Sequence, residues 1–155
     1  MSGGVTGPSL KARALRLLAQ REHSRAELER KLRPHETEPG TLAQALDGLE
    51  ARGFISETRV ADSVLHRRAD KLGTARVRGE LQAKGLSEAV VDEAVQRLRE
   101  TELARAQAVW AKRFGQAPAD VAERARQMRF LAARGFAPEA IRRVVPRVGG
   151  ADPDV

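Results

Sequence analysis

Arginine and lysine are the side chains numerous enough in this sequence to do chemistry, and that chemistry is the capture of anions. The 155-residue chain carries 28 of them against 21 acidic residues, a formal charge of +7, with arginine outnumbering lysine 23 to 5. Guanidinium groups stay charged and present fixed donors that suit phosphates and carboxylates, so an anionic partner is one reading. On helical projection Arg59 points away from an apolar arc while Arg67 and Lys71 flank it. Arg76, Arg78 and Lys84 then lie outside the next apolar stripe, and Arg126 and Arg129 extend the set. Arg105, Lys112, Arg113, Arg142 and Arg143 add to it, and between Arg67 and Arg78 only Asp70 interrupts. A solvated, salt-paired surface is the alternative, and charge alone leaves both open. On the binding reading, Arg76 and Arg78 should be replaceable by Ala without loss of stability, because exposed ion pairs contribute little to folding.

Other chemistries lack their residues. The chain has no cysteine, no GxxxxGK[ST] or GxGxxG phosphate loop, and three separated histidines, His23, His35 and His66. Neither a metal nor a cofactor is expected. The carboxylates sit among arginines on helix faces, where ion pairing is their expected role. The reading is a binding protein rather than an enzyme. Asparagine, a common bidentate partner of adenine, is absent. The few aromatics, Trp110 and four phenylalanines, read as mostly buried, so contact with DNA would be mainly electrostatic. No apolar run approaches the ~20 residues of a membrane span. "MSGGVTGPS" has neither the basic start nor the apolar core of a signal peptide. A cytoplasmic monomer is expected.

The elements that must carry these side chains repeat. "RVRGELQAKGLSEAVVDEAV" (76–95) returns as "RQMRFLAARGFAPEAIRRVV" (126–145), matching Leu81 with Leu131, Gly85 with Gly135 and Val91 with Ile141. A third copy lies upstream: Leu32, Leu42 and Leu46 take the positions of Leu81, Val91 and Val95, and Pro39 that of Pro138, with Glu36 in place of the glycine. The glycine closes a helix in the left-handed conformation, and Leu86 or Phe136 after it can staple onto the following helix. Each copy also has a leading helix, expected at about Leu10–Gln20, Ser56–Leu72 and Thr101–Phe114. "SRAE" at 24–27 forms a capping box for the second helix, and a third begins near Pro39. A further helix is expected from about Pro118 to Arg134, using Val121, Ala125, Met128 and Leu131. No segment alternates with period two. The sequence predicts an all-α chain of three tandem three-helix units, helix-turn-helix-like, at 10–55, 56–98 and 99–146. Residues 1–9 and 147–155 read as disordered tails.

Three such units, with "SRAELERKL", "ARGFISETRVAD" and "VRGELQAKGLS" in this order and spacing, resemble the RecX family of bacterial recombination regulators. The resemblance spans about Leu10–Pro146. It implies a curved, elongated helical body that binds the RecA recombinase. Such a protein lies in the groove of the RecA–DNA filament and suppresses strand exchange, ATP hydrolysis and coprotease activity. It also implies non-specific contacts with single- or double-stranded DNA. The rival reading, set against the resemblance, is a DNA-binding helical protein that acts by electrostatic competition for DNA. Val60 replaces the family's usual Phe, and Ala75 stands where proline is common. Both departures are expected to thin the packing between the first two units.

Overall fold

The computed structural model describes residues 7–150 and contains eight α-helices and no strand among them. The helices are α1 Leu10–Gln20, α2 Arg25–Leu32, α3 Thr41–Ala51, α4 Glu57–Arg68, α5 Thr74–Ala83, α6 Glu88–Arg113, α7 Val121–Ala133 and α8 Pro138–Val144. Hydroxyl or carboxylate caps start five of them. Ser9, Ser24, Ser56, Ser87 and Asp120 each accept a hydrogen bond from the backbone N–H three residues on. Glu27 completes the capping box at Ser24.

The burial pattern gives three separate apolar cores. Ala14, Leu28, Leu32, Leu42, Leu46, Leu49 and Ile55 form the first. Val60, Val64, Val77, Leu81, Val91, Val95 and Leu98 anchor the second. Ala106, Trp110, Leu131, Phe136, Ile141, Val144 and Val145 form the third. Each is built from one contiguous stretch of chain, so burial alone does not hold the units to one another. Val60 lies inside the second core rather than between units, contrary to the sequence expectation.

The largest departure from expectation is α6. Its 26 residues, about 39 Å at 1.5 Å per residue, run without a break through the expected boundary at 98/99. Thr101, expected to begin a helix, sits inside this one, and its hydroxyl donates back to Leu98 O (3.3 Å). One buried stripe, Val91, Ala94, Val95, Leu98, Glu102, Ala106 and Trp110, serves the second core and then the third. Helix α4 ends at Arg68, earlier than expected, and α7 starts at Val121 rather than Pro118. Helix α3 starts at Thr41, after Gly40 in a left-handed conformation, so Pro39 is not in its first turn as Pro138 is in that of α8. Leu103 (38% exposed) and Val121 (77%) face solvent rather than the core. Of the expected tails, residues 1–6 and 151–155 lie outside the described residues. Ser9 caps α1, and Gly149 N donates to Pro118 O (2.9 Å).

The turn glycines are positioned as expected, with φ of +73° at Gly85 and +91° at Gly135. They have a second role that periodicity does not reveal. Gly73 N donates to Arg134 O (2.7 Å) and Ala75 N to Gly135 O (3.3 Å), joining the start of α5 to the α7–α8 turn by main-chain bonds. A proline at position 75 could not make the second bond. A Cβ on Gly73 would overlap the carbonyl carbon of Gly135. The same docking recurs one unit earlier. Ser24 Oγ donates to Lys84 O (2.5 Å), and a Cβ on Gly85 would lie 2.6 Å from Ala26 Cβ. In the first unit, Glu36 replaces the glycine after a 3-10 turn (Arg33–His35), and its carboxylate accepts from Leu42 N (2.9 Å) at the start of α3.

Gly73→Ala and Gly79→Ala separate these roles. Main chain cannot yield to a new methyl at position 73, so that variant should lose ~1–3 kcal/mol. Gly79 is helical, a methyl there would have no neighbour within 4 Å, and its variant should gain ~0.5–1 kcal/mol. Urea denaturation of both proteins beside the parent checks the opposite signs.

Candidate interaction face

The joint between the second and third units is finished by two polar side chains from α6. Gly73 offers no side-chain cap to α5, and the buried Glu102 carboxylate accepts from Thr74 N (3.0 Å) instead. Arg105 reaches across the α4–α5 turn. Its guanidinium donates to the carbonyls of Ala69 (2.8 Å), Leu72 (2.5 Å) and Leu98 (2.8 Å) and to both Thr74 Oγ1 and Thr101 Oγ1. Arg105, grouped with the outward-facing charges from sequence, is therefore a structural pin. Its side chain gives the Ala69 and Leu72 carbonyls of the turn the partner they would otherwise lack.

The joint between the first and second units is ionic. Glu27, buried, takes Arg21 (2.7 Å) and Lys84 (3.2 Å), and Arg59 on α4 pairs with Glu22 (2.9 Å) and donates to Gly53 O (2.6 Å). Burial by itself raises the Glu27 pKa, but the bonds from Arg21 and Ser24 N–H and the charge of Lys84 outweigh it and hold the carboxyl at about 2. His23, 1% exposed, contacts Arg21 O (3.0 Å) through Nδ1 and Lys31 Nζ (3.1 Å) through Nε2. The neutral tautomer with a proton on Nδ1 satisfies both. Burial, chiefly, lowers its pKa below 6.5, and the charges of Arg21 and Lys31 act the same way.

The eight sequence candidates thus do not form one face. Arg59 and Lys84 tie the first two units together, and Arg126 is paired with Glu123 (2.8 Å). Arg76 is exposed, yet its Nη1 donates to Ala133 O (2.8 Å) and its stem packs against Gly135. Residues two apart on a helix point in different directions, and Arg78 accordingly faces another side. Arg78 lines a cleft of about 370 Å3 between α5, α6 and α8 together with Arg99, Glu102, Phe136 and Pro138. Arg99, on the exposed side of α6, is not marked out by the repeat, since the other copies carry Glu50 and Gly149 at its position. Arg129 and Arg142 rim a second, mostly apolar crevice over Met128, Ala132 and Ile141. Arg67 and Lys71 are exposed at the end of α4 and in the turn after it, Arg67 donating to Ser63 O (3.3 Å) of its own helix. Arg68, placed within the apolar arc by projection, pairs with Glu80 (3.1 Å). Among the described residues no cluster of three or more His, Cys, Asp or Glu is placed to hold a metal, and no helix is long and apolar enough to cross a membrane.

Comparison with known proteins follows the same three-unit division. Family models described as the first, second and third three-helix domains of RecX match residues 11–49, 56–95 and 100–145. The chain belongs to the RecX family. The regulatory protein RecX of Leptothrix cholodnii is 54% identical over 137 residues, covering 88% of this chain and 87% of that one. The RecX of Ralstonia nicotianae is 50% identical over 137 residues, covering 88% and 86%. A crystal structure of regulatory protein RecX has the same fold, with a TM-score of 0.74 at 19% identity over 87% of this chain and 70% of that one. RecX from Lactobacillus salivarius gives 0.69 at 19% identity, over 87% and 91%. RecX relatives are thus regulatory proteins by name, and the all-helical three-domain architecture is shared with the solved RecX folds.

Two measurements test these assignments. Removing the Arg76 side chain breaks a bond to Ala133 O, so Arg76→Ala should cost ~0.5–1.5 kcal/mol, whereas Arg78→Ala should melt like the parent. The free-surface expectation for Arg76 is corrected accordingly. The ionic joint sets a pH dependence. The folded Glu27 pKa is depressed, so its contribution is present above about pH 4.5 and is lost as pH falls toward about 2. His23 is held neutral, so its contribution is present above about 6.5 and declines below that. Urea midpoints measured across this range should fall with acidity in both windows, and Glu27→Gln should flatten the lower one.

Proposed function

We propose that this chain acts by binding the RecA recombinase filament and lowering its strand exchange, ATP hydrolysis and coprotease activity. The observation that carries the reading is the cleft between the second and third units, where Arg78 and Arg99 open from a rigid, doubly bonded joint. A partner surface bearing carboxylates or phosphates meets these guanidiniums without the protein first reorganising, which keeps the entropic cost of binding low. Membership in a family of regulatory proteins supports a recombinase filament as the partner. The absence of phosphate loops and metal-ligand spacing in the sequence supports stoichiometric action rather than catalysis.

The rival is displacement of RecA by competition for DNA, and the basic third unit favours it. ATP hydrolysis by RecA assembled on saturating single-stranded DNA separates the two. Inhibition by this protein should persist when further free DNA is added. Full recovery of hydrolysis on adding DNA would replace the RecA reading with the DNA-competition one.

A further inference from the structure

The edge where α6 meets α7 carries an arrangement of arginines that neither the repeat nor the family assignment accounts for. Phe114 and Phe130, both half-buried, pack edge to face at 5.4 Å between centroids. Arg126 lies over Phe114 (5.6 Å), Arg113 over both Phe114 (5.9 Å) and Phe130 (5.2 Å), and Arg134 over Phe130 (4.8 Å). From Arg134 the series continues through the neighbouring Ala133 carbonyl to Arg76, which donates to it at 2.8 Å. Each arginine is thus joined to the next by a ring or by the main chain. Of the four, Arg126 alone is ion-paired among the described residues, with Glu123.

A guanidinium held over a ring by cation–π attraction spends no N–H donor on that contact, so its N–H groups stay available to an anion. Four like charges along one edge repel one another, and acidic neighbours would be the ordinary remedy. Here ring faces do that work for Arg113 and Arg134, and their capacity to bind an anion is not used up. A row of spaced, held cations with half-exposed aromatic edges between them suits a linear polyanion that also carries stacking bases. An acidic protein segment would be served as well by freely moving lysines, which are scarce here.

We propose that Arg113, Arg134 and Arg76, with Arg126 at the end of the row, form a track for the phosphodiester backbone of single-stranded nucleic acid. The track deepens the proposed function by adding a strand contact to it. It is tested on DNA without RecA, so either reading can fail alone.

The test is fluorescence anisotropy with a labelled 20-mer of deoxythymidine across a salt titration. The Arg113→Ala/Arg134→Ala variant keeps the main-chain bond from Gly73 to Arg134 O and should bind roughly tenfold more weakly at low salt. Its salt slope should be shallower by about 0.7 for each phosphate that the variant no longer neutralises. Arg30→Ala/Arg33→Ala, the same charge loss on exposed positions of the first unit, should bind like the parent. Should the first variant melt early, Arg113→Lys/Arg134→Lys keeps the charge, loses the planar fork and should fall between variant and parent. Equal binding by parent and Arg113→Ala/Arg134→Ala, or equal losses in both alanine pairs, overturns the track. A polyglutamate peptide of the same length that displaces the DNA as well as unlabelled 20-mer does would assign the row to an acidic protein segment instead.

Discussion

The hydrogen bond from Gly73 N to Arg134 O, with two glycine backbones in direct contact around it, is the constraint on which the arrangement of the second and third units depends. Apolar burial cannot orient one unit against the next, because each core closes within its own stretch of chain. Orientation comes instead from main chain docking on main chain, and any side chain at either glycine would hold the two apart. The polar groups of α6 follow from this. With glycine at the N-cap, α5 has no cap of its own, so Glu102 must supply one, and a carboxylate buried there is tolerated because it has that bond. Arg105, beside it, satisfies the carbonyls that the tight α4–α5 turn leaves exposed.

The two joints obey one pattern with different materials. In both, the residue that caps the second helix of one unit donates to the carbonyl preceding the turn glycine of the next. The later joint adds a second main-chain bond and a helix shared by both units. The earlier joint relies on side chains, Ser24, Glu27, Lys84, Arg59 and Glu22. Main-chain bonds respond little to pH or salt, whereas ion pairs respond to both. The two halves of the molecule therefore differ in how their geometry answers to solution conditions.

The sequence made the repeat, the helical class and the turn glycines legible, because spacing and side-chain type express them directly. Leu81 and Leu131, or Val91 and Ile141, are matched by burial as well as by position. The sequence did not reveal α6 as one helix. Thr101 resembles a cap in isolation, and nothing local distinguishes a hydroxyl that caps from one that bonds backward. The functional surface was the least legible part. Arg59, Lys84, Arg105 and Arg78 look alike on a helical wheel, yet two join units, one pins a turn and one lines a cleft. What separates them is the identity of neighbours on other helices, far along the chain, which periodicity does not encode. The aromatics, read as mostly buried, divide otherwise: Trp110 and Phe136 are buried, Phe114 and Phe130 half-buried, and Phe54 exposed.

The docking contact is head to tail: the start of a second helix in one unit meets the glycine turn of the following unit. Contacts of this kind do not close on themselves, and between separate copies of a chain they propagate into open fibres. Among the described residues, neither outer unit repeats the counterpart surface. The first unit has Glu36 and a 3-10 turn where a glycine turn would receive a neighbour. In the third unit the loop before α7 carries Asp120 at the cap and is covered at Pro118 by the returning chain through Gly149. The irregularities of the outer units thus keep the docking contact between the described units from being copied at their outer faces, where a second molecule could otherwise extend it.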